Sequence, residues 1–137
     1  MSMSLNAQNL EQHQWKDRLL VIVSVGLEDE IVQHQLAMLR EDEQGLKERR
    51  LVVYQLTPEY FKKGVNAKVM IAMEKPIPDR FSLTNSAFMI YLVGLDGGIK
   101  LESPKTVTLK EIFALIDTMP MRRAELARKK KQSKQED

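Results

Sequence analysis

Two uninterrupted apolar runs predict the central strands of a buried sheet. They cover residues 19–23 and 88–93, and neither run alternates apolar with polar positions. A strand with one wet face alternates, so these runs indicate strands covered on both faces, as in a partly parallel sheet. Both runs are far shorter than the about 20 residues needed to cross a bilayer, so the chain is not expected to be transmembrane.

A long helix and a second strand follow the first apolar run. Apolar residues recur at helical spacing within residues 29–49, with acidic residues in the first turn and basic residues in the last. This charge distribution suits the helix dipole. Gly45 is a weak point where the helix is expected to break early. Residues 51–56 form the next strand, so the first half of the chain predicts a right-handed βαβ unit.

The second half of the chain predicts a hairpin and a closing helix. An Asp-Gly-Gly turn at residues 96–98 joins the strand at 88–93 to a returning antiparallel strand. Thr108 opens the last helix with a Thr-Leu-Lys-Glu capping box, and Pro120 is expected to end or kink that helix.

The intervening residues 57–86 have no clear period. Residues 68–73 fit either a strand or the start of a helix, and residues 79–83 fit a short helical turn. Two prolines between these stretches exclude a continuous helix. The structure of this part is left open.

The order β-α-β, an ambiguous crossover and β-hairpin-α is that of the thioredoxin core. We therefore predict an α/β fold, a thioredoxin-like three-layer α/β/α sandwich with a mixed sheet of about four to five strands. Residues 15–125 form the domain, between a flexible N-terminal segment, 1–14, and a disordered basic tail, 126–137. The Leu-Asn-Ala sequence within residues 1–8 is interpreted either as a signal-peptide remnant or as part of an ordinary tail.

Composition excludes several kinds of chemistry. The 137-residue chain contains no cysteine and has a formal net charge of +2. Disulfides, thiolate metal ligands and CxxC redox pairs are therefore excluded. His13 and His34 fit no metal motif, so neither a metal nor a cofactor is predicted. The run of basic residues from Arg128 is interpreted as a solubilising tail, and nucleic acid is not expected as a partner.

Four segments resemble the DUF4174 family. They are WKDRLLV at 15–21, GLKER at 45–49 before LVV at 51–53, VGLDGGIKL at 93–101 and IDTMPMR at 116–122. The resemblance covers about residues 15–125 and implies a thioredoxin- or peroxiredoxin-like fold without an established activity. Related domains occur in secreted, matrix-associated animal proteins, and many bacterial members look exported. The resemblance thus favours an exported or periplasmic location, with the cytoplasm as the alternative.

The resemblance also implies where a thiol site would lie. In redox relatives it is the loop at residues 24–29, where a helix N-terminus lowers a cysteine pKa. This chain has Gly-Leu-Glu-Asp at 26–29, and it lacks the proline that usually precedes the third strand. The inherited thiol site is therefore empty, and cysteine-dependent redox activity is excluded. Ser24 has no base placed by any motif, so no catalytic residue is assigned.

Basic residues form the one candidate site that we assign. One hypothesis is that Arg18, Lys100, Arg122 and Arg123 converge near one end of the sheet and bind an anion, but the favoured interpretation is that they are solvated charges. The sequence also departs from the family pattern near this end. Leu95 stands where a lysine is common and Glu102 where an arginine is common, so any role of those basic residues does not carry over.

Two functional hypotheses remain. The favoured one is a non-enzymatic binding or interaction module on a redox-inactive scaffold, with a protein as the candidate partner. It predicts an exposed apolar or charged patch. The alternative is an enzyme of thiol-independent activity on the same scaffold, which predicts a pocket with perturbed titratable groups near residues 24–29. Nucleic-acid binding through the basic tail ranks third.

Overall fold

The computed structural model describes residues 10–83 and 86–136. The strands are β1 (Arg18–Ser24), β2 (Leu51–Leu56), β3 (Tyr60–Lys63), β4 (Ile71–Ala72), β5 (Phe88–Val93) and β6 (Ile99–Ser103). The α-helices are α1 (Glu30–Leu39), α2 (Glu43–Glu48), α3 (Leu109–Asp117) and α4 (Pro120–Glu136). Short 3₁₀ turns cover Leu10–His13, Arg40–Asp42 and Asp79–Phe81.

One mixed sheet of six strands, in the order β4-β3-β2-β1-β5-β6, forms the middle of the fold. β1 lies parallel to β2 and antiparallel to β5, and β5 and β6 form the predicted hairpin. The predicted α/β class is confirmed, but the sheet has more strands than the four to five expected. The additional strands are β3 and β4, which are only four and two residues long. Segments this short produce no detectable period in a sequence.

The sheet is buried on both faces, as the apolar runs predict. Leu20 and Ile22 of β1 belong to a core cluster that also contains the inner faces of α1 and α3. Val21 points to the opposite face, where a second cluster contains Leu10 and Phe81 from two of the 3₁₀ turns. The continuous apolar character of β1 is explained because every side chain of the strand is buried.

The helix expected over residues 29–49 is divided into two. α1 ends at Leu39, and the turn Arg40–Asp42 separates it from α2. The break precedes Gly45 because Asp42 caps α2, accepting a hydrogen bond from the Gly45 N–H at 2.9 Å. A Cβ atom at Gly45 would lie 2.8 Å from the Phe113 ring. The glycine therefore permits close packing of α2 against α3.

α3 begins where the sequence predicts, but α4, which begins at Pro120, was not predicted as a separate helix. Thr108 caps α3 by accepting a hydrogen bond from the Glu111 N–H at 3.2 Å. Pro120 occupies the first position of α4, where its missing N–H costs no hydrogen bond. The helix continues to Glu136, whereas the sequence favoured a disordered tail. Its Ala, Arg, Lys and Gln residues have high helix propensity, and the side chains of residues 126–132 are exposed.

The N-terminal segment, expected to be flexible, is partly ordered. In the turn Leu10–His13, the side chains of Leu10 and His13 are buried. The signal-remnant interpretation concerns residues 1–8, which lie outside the described residues.

Candidate functional site

The loop at residues 24–29, where the family resemblance implies a thiol site, contains residues with structural roles. Ser24 is buried, and its hydroxyl donates to the Gly26 carbonyl at 3.0 Å while accepting from the Gly26 N–H at 3.2 Å. Leu27 is fully buried in the core beneath α1. Glu28 is exposed, and its carboxylate lies 3.9 Å from the Lys62 ammonium. This loop presents an inward leucine and a solvated carboxylate at the position where the family resemblance implies a thiol in redox relatives.

The predicted anion-binding residues are brought together in part. Arg18 and Lys100 line one cavity at the start of β1. Arg122 is buried in the first turn of α4, and its guanidinium contacts carboxylates of the chain. Arg123 is exposed on α4.

A group of charged side chains, here called the ion cluster, joins α4 to the body of the protein. Its members are Arg18, Arg49, Arg50, Arg122, Lys129, Glu48, Asp117 and Glu125. As defined, the cluster contains five cations and three carboxylates, so it keeps an excess of positive charge. Such pairs were not visible in the sequence, because most of them connect distant parts of the chain.

Glu125 is the central carboxylate of the ion cluster. It accepts hydrogen bonds from Arg18 at 3.2 Å, from Arg50 at 3.0 Å and from Arg122 at 3.4 Å. Burial by itself raises the pKa of Glu125, but the hydrogen bonds from Arg18 and Arg50 outweigh it and hold the pKa below its ordinary value. The carboxylate therefore stays ionised at neutral pH.

Asp117 and Glu48 complete the ion cluster. Asp117 accepts from Arg49 at 3.0 Å and from Arg122 at 3.0 Å. Burial raises the pKa of Asp117, but the hydrogen bonds from these two arginines outweigh burial and hold the pKa below its ordinary value. Hydrogen bonds from Lys129 and Arg122 lower the pKa of Glu48 in the same way. The guanidinium of Arg49 also stacks 3.9 Å from the Phe113 ring centroid.

A cavity of about 450 Å³ opens beside the ion cluster, between the β5–β6 hairpin and the start of α4. We call it the Trp15 cavity, and its lining includes Trp15, Arg18, Leu95, Lys100, Met119 and Met121. Ligand pockets in proteins have volumes of roughly 300–1,000 Å³, so the size suits a small molecule.

Trp15 forms the exposed wall of the Trp15 cavity. The residue is 59% exposed, and its backbone has a φ of 70°, in the left-handed region that bulky residues rarely adopt. The Trp15 N–H donates to the Leu95 carbonyl at 2.6 Å, which holds this conformation against the hairpin. Strain of this kind costs about 1–3 kcal/mol and tends to occur at ligand clamps.

The start of α4 forms the opposite wall. Within the described residues, the backbone N–H groups of Met121 and Arg122 donate no hydrogen bond. Free N–H groups in a first turn carry partial positive charge. The first turn of α4 contains no acidic residue to offset this charge.

A second polar network lies on the other side of β1. His13 donates from Nδ1 to the Asp17 carboxylate at 2.8 Å, and its Nε2 lies 2.7 Å from the Tyr54 hydroxyl. Since Asp17 fixes the tautomer, Nε2 accepts a hydrogen bond from the Tyr54 hydroxyl. Burial, followed by the charge of Asp17, raises the pKa of Tyr54 to about 12. Tyr54 is fully buried, so this network fastens the N-terminal turn to the sheet.

Sequence reasoning missed Trp15 and the His13 network. The single tryptophan of the chain, three residues before β1, was the available signal for Trp15, because tryptophan is enriched at binding interfaces. His13 and Asp17 are four residues apart, but the tyrosine that completes their network lies on another strand.

The order and directions of the strands are those of a thioredoxin-like protein. Its fold is similar to that in "Crystal Structure of Plasmodium vivax 2-Cys Peroxiredoxin, Reduced", with a TM-score of 0.57 and 17% sequence identity. The match covers 85% of this chain and 83% of the peroxiredoxin chain. At this identity the similarity concerns the fold alone.

The chain belongs to the DUF4174 family, a domain of unknown function whose family model matches residues 9–125. No curated protein matches the sequence at a significant level. The described residues contain no helix with the length and apolar character that a membrane crossing requires. Among the same residues, no group of three or more His, Asp or Glu side chains is placed to hold a metal ion.

Proposed function

We propose that this DUF4174 protein is a redox-inactive binding module that takes its ligand in the Trp15 cavity. The supporting observation is an exposed tryptophan in a strained backbone conformation at the rim of a cavity of ligand size. An exposed aromatic ring offers a large apolar contact area, and its rigid side chain loses little entropy when a ligand covers it.

The thiol position supports the proposal by contrast. Leu27 is turned into the core and the Ser24 hydroxyl is engaged by the backbone of Gly26. Neither residue is available to a substrate without local unfolding. The proposal therefore places the ligand-binding surface at the start of α4 and not at the start of α1.

The experiment is a titration with Nile red, a neutral apolar dye whose emission rises when it leaves water. The expected result is saturable binding that Met121→Glu removes, because the new carboxylate places a charge in the apolar wall. Leu126→Glu is the matched control, since Leu126 is also a partly exposed apolar residue of α4 but does not line the cavity.

Two outcomes would overturn the proposal. One is the absence of saturable binding to the folded protein. The other is equal loss of binding, or no loss, in Met121→Glu and Leu126→Glu. Circular dichroism of both variants shows whether each retains the fold, so loss of dye binding can be separated from loss of structure.

A further inference from the structure

We infer that the Trp15 cavity selects small apolar carboxylates, with the apolar body against Trp15 and the anionic group at the start of α4. This inference rests on the proposed function and adds the chemical class of the ligand. Three observations carry it: the free N–H groups of α4, the buried Arg18 and the charged rim residue Lys100.

The first observation is the free first turn of α4. Met119 and Met121 line the cavity, so this helix end forms part of its wall. The N–H groups of Met121 and Arg122 have no acceptor among the described residues. A helix of 17 residues has a full dipole, and an anion at its N-terminus satisfies these donors.

The second observation is an orphaned donor on Arg18. The side chain of Arg18 has no exposed surface, yet the residue lines the cavity. Its Nη atoms contact Glu125 and the Arg49 carbonyl, but its Nε–H has no hydrogen-bond partner in the described part of the chain. A buried donor without a partner is uncommon and favours a nearby negative charge, because the surrounding protein screens it weakly.

The third observation is the rim pair of Lys100 and Asp96. Their charged groups lie 2.9 Å apart, and the Lys100 side chain remains 35% exposed. Both residues line the cavity, which also contains the buried Arg18 cation. The lining therefore contains two cations and one carboxylate, and the Arg18 cation is also paired with Glu125 outside the lining.

The remaining lining sets the shape of the ligand. Leu95 and Met119 form an apolar interior, and Trp15 and Met121 extend it toward solvent. Methionine and tryptophan adapt to aliphatic and aromatic groups. A volume of about 450 Å³ holds a free acid with one ring or a medium chain.

The test uses three probes with one apolar body and different head groups: cyclohexylbutyrate, cyclohexylbutanol and cyclohexylbutylamine. Trp15 is the single tryptophan of the chain, so its emission reports binding directly. The carboxylate is expected to bind roughly tenfold more tightly than the alcohol, since a helix N-terminus and one partly exposed cation each contribute a few-fold. The amine should bind most weakly, and added salt should reduce the preference.

Two rim variants examine the charge directly. Lys100→Met keeps the apolar stem and is expected to remove much of the preference for the carboxylate. Lys105→Met, at an exposed lysine outside the cavity lining, is its control. Asp96→Asn should act in the opposite direction and strengthen carboxylate binding, because it removes the negative charge of the rim.

The outcomes separate this inference from the proposed function. If the alcohol binds as tightly as the carboxylate and Met121→Glu removes that binding, the ligand class is wrong while the binding cavity stands. If no probe binds, both are wrong. A carboxylate preference that is unchanged in Lys100→Met and Asp96→Asn would also overturn the assignment of the head group to this rim.

Discussion

At the scale of single residues, His13 shows how one side chain fixes a segment. It links Asp17 to the buried Tyr54 hydroxyl, with contacts of 2.8 and 2.7 Å. Replacing it leaves the Tyr54 hydroxyl without this partner inside the protein. We expect His13→Ala to lower the free energy of unfolding by about 2 kcal/mol, the usual cost of such a loss.

Urea denaturation measures this change. His34→Ala is the control, because His34 is exposed on α1 and its removal should change stability by no more than about 0.5 kcal/mol. Equal effects of the two substitutions would contradict the role given to His13.

Gly45 provides a second test at the same scale. In most helices a glycine-to-alanine change is stabilising by up to about 1 kcal/mol. Here a Cβ atom would lie 2.5 Å from an Asp42 carboxylate oxygen and 2.8 Å from the Phe113 ring. Gly45→Ala should therefore lower the melting temperature, whereas Gln44→Ala on the exposed side of α2 should leave it unchanged or raise it. A stabilised Gly45→Ala protein would show that α2 and α3 pack less closely than described.

At the scale of elements, α4 is held by charge rather than by an apolar face. Glu125 meets Arg18, Arg50 and Arg122, and the Arg18 side chain has no exposed surface. Removing one member of a buried ion pair leaves the other charge without compensation. Glu125→Gln should lower the free energy of unfolding by about 3 kcal/mol, near the low end for such pairs because Glu125 is slightly exposed.

Glu48→Gln is the matched comparison for Glu125→Gln. The Glu48 side chain is 36% exposed and one of its partners, Lys129, is 67% exposed. Its loss should cost less than about 1 kcal/mol. Guanidinium chloride would screen these pairs, so urea is the appropriate denaturant. A larger cost at Glu48 than at Glu125 would contradict the central position of Glu125.

The ion cluster also predicts a dependence of stability on pH. The pKa values of Glu125, Glu48 and Asp117 lie below their ordinary values of 4.5, 4.5 and 3.8, for the reasons given above. A carboxylate whose pKa is lower in the folded state than in the unfolded state stabilises the protein at pH values above its unfolded-state pKa. This contribution disappears as the pH falls through the folded-state pKa. Stability should thus decrease as the pH falls below 4.5.

Urea denaturation at a series of pH values measures this decrease. In Glu125→Gln one of the three carboxylates no longer titrates, so the slope in acid should be smaller than that of the wild-type protein. Parallel pH profiles for the two proteins would show that Glu125 does not contribute to the dependence.

At the scale of the whole molecule, the sheet could be predicted in its centre but not at its β3–β4 edge. β1 and β5 are uninterrupted apolar runs because both of their faces are covered. β3 and β4 are short and lie at one edge, so no period marks them. The cap at Thr108 and the helix break near Pro120 were predictable because they depend on neighbours within one turn.

The candidate site was predictable only in part, for a related reason. Arg18 and Lys100 could be assigned to one end of the sheet, since the hairpin and β1 had been recognised. The pairing of Arg18 with Glu125 spans 107 residues and has no local signature. The strained conformation of Trp15 depends on the Leu95 carbonyl across the fold, which propensity does not encode.

The central claim is that this thioredoxin-like protein binds at the Trp15 cavity and not at the vacant thiol position. Intermolecular nuclear Overhauser effects, measured with the cyclohexyl probe that binds most tightly, test it most directly. The account predicts contacts from the cyclohexyl ring to the Trp15 indole and the Met121 methyl group. Contacts to Leu27 and its neighbours at the start of α1, or no contact with Trp15, would contradict it.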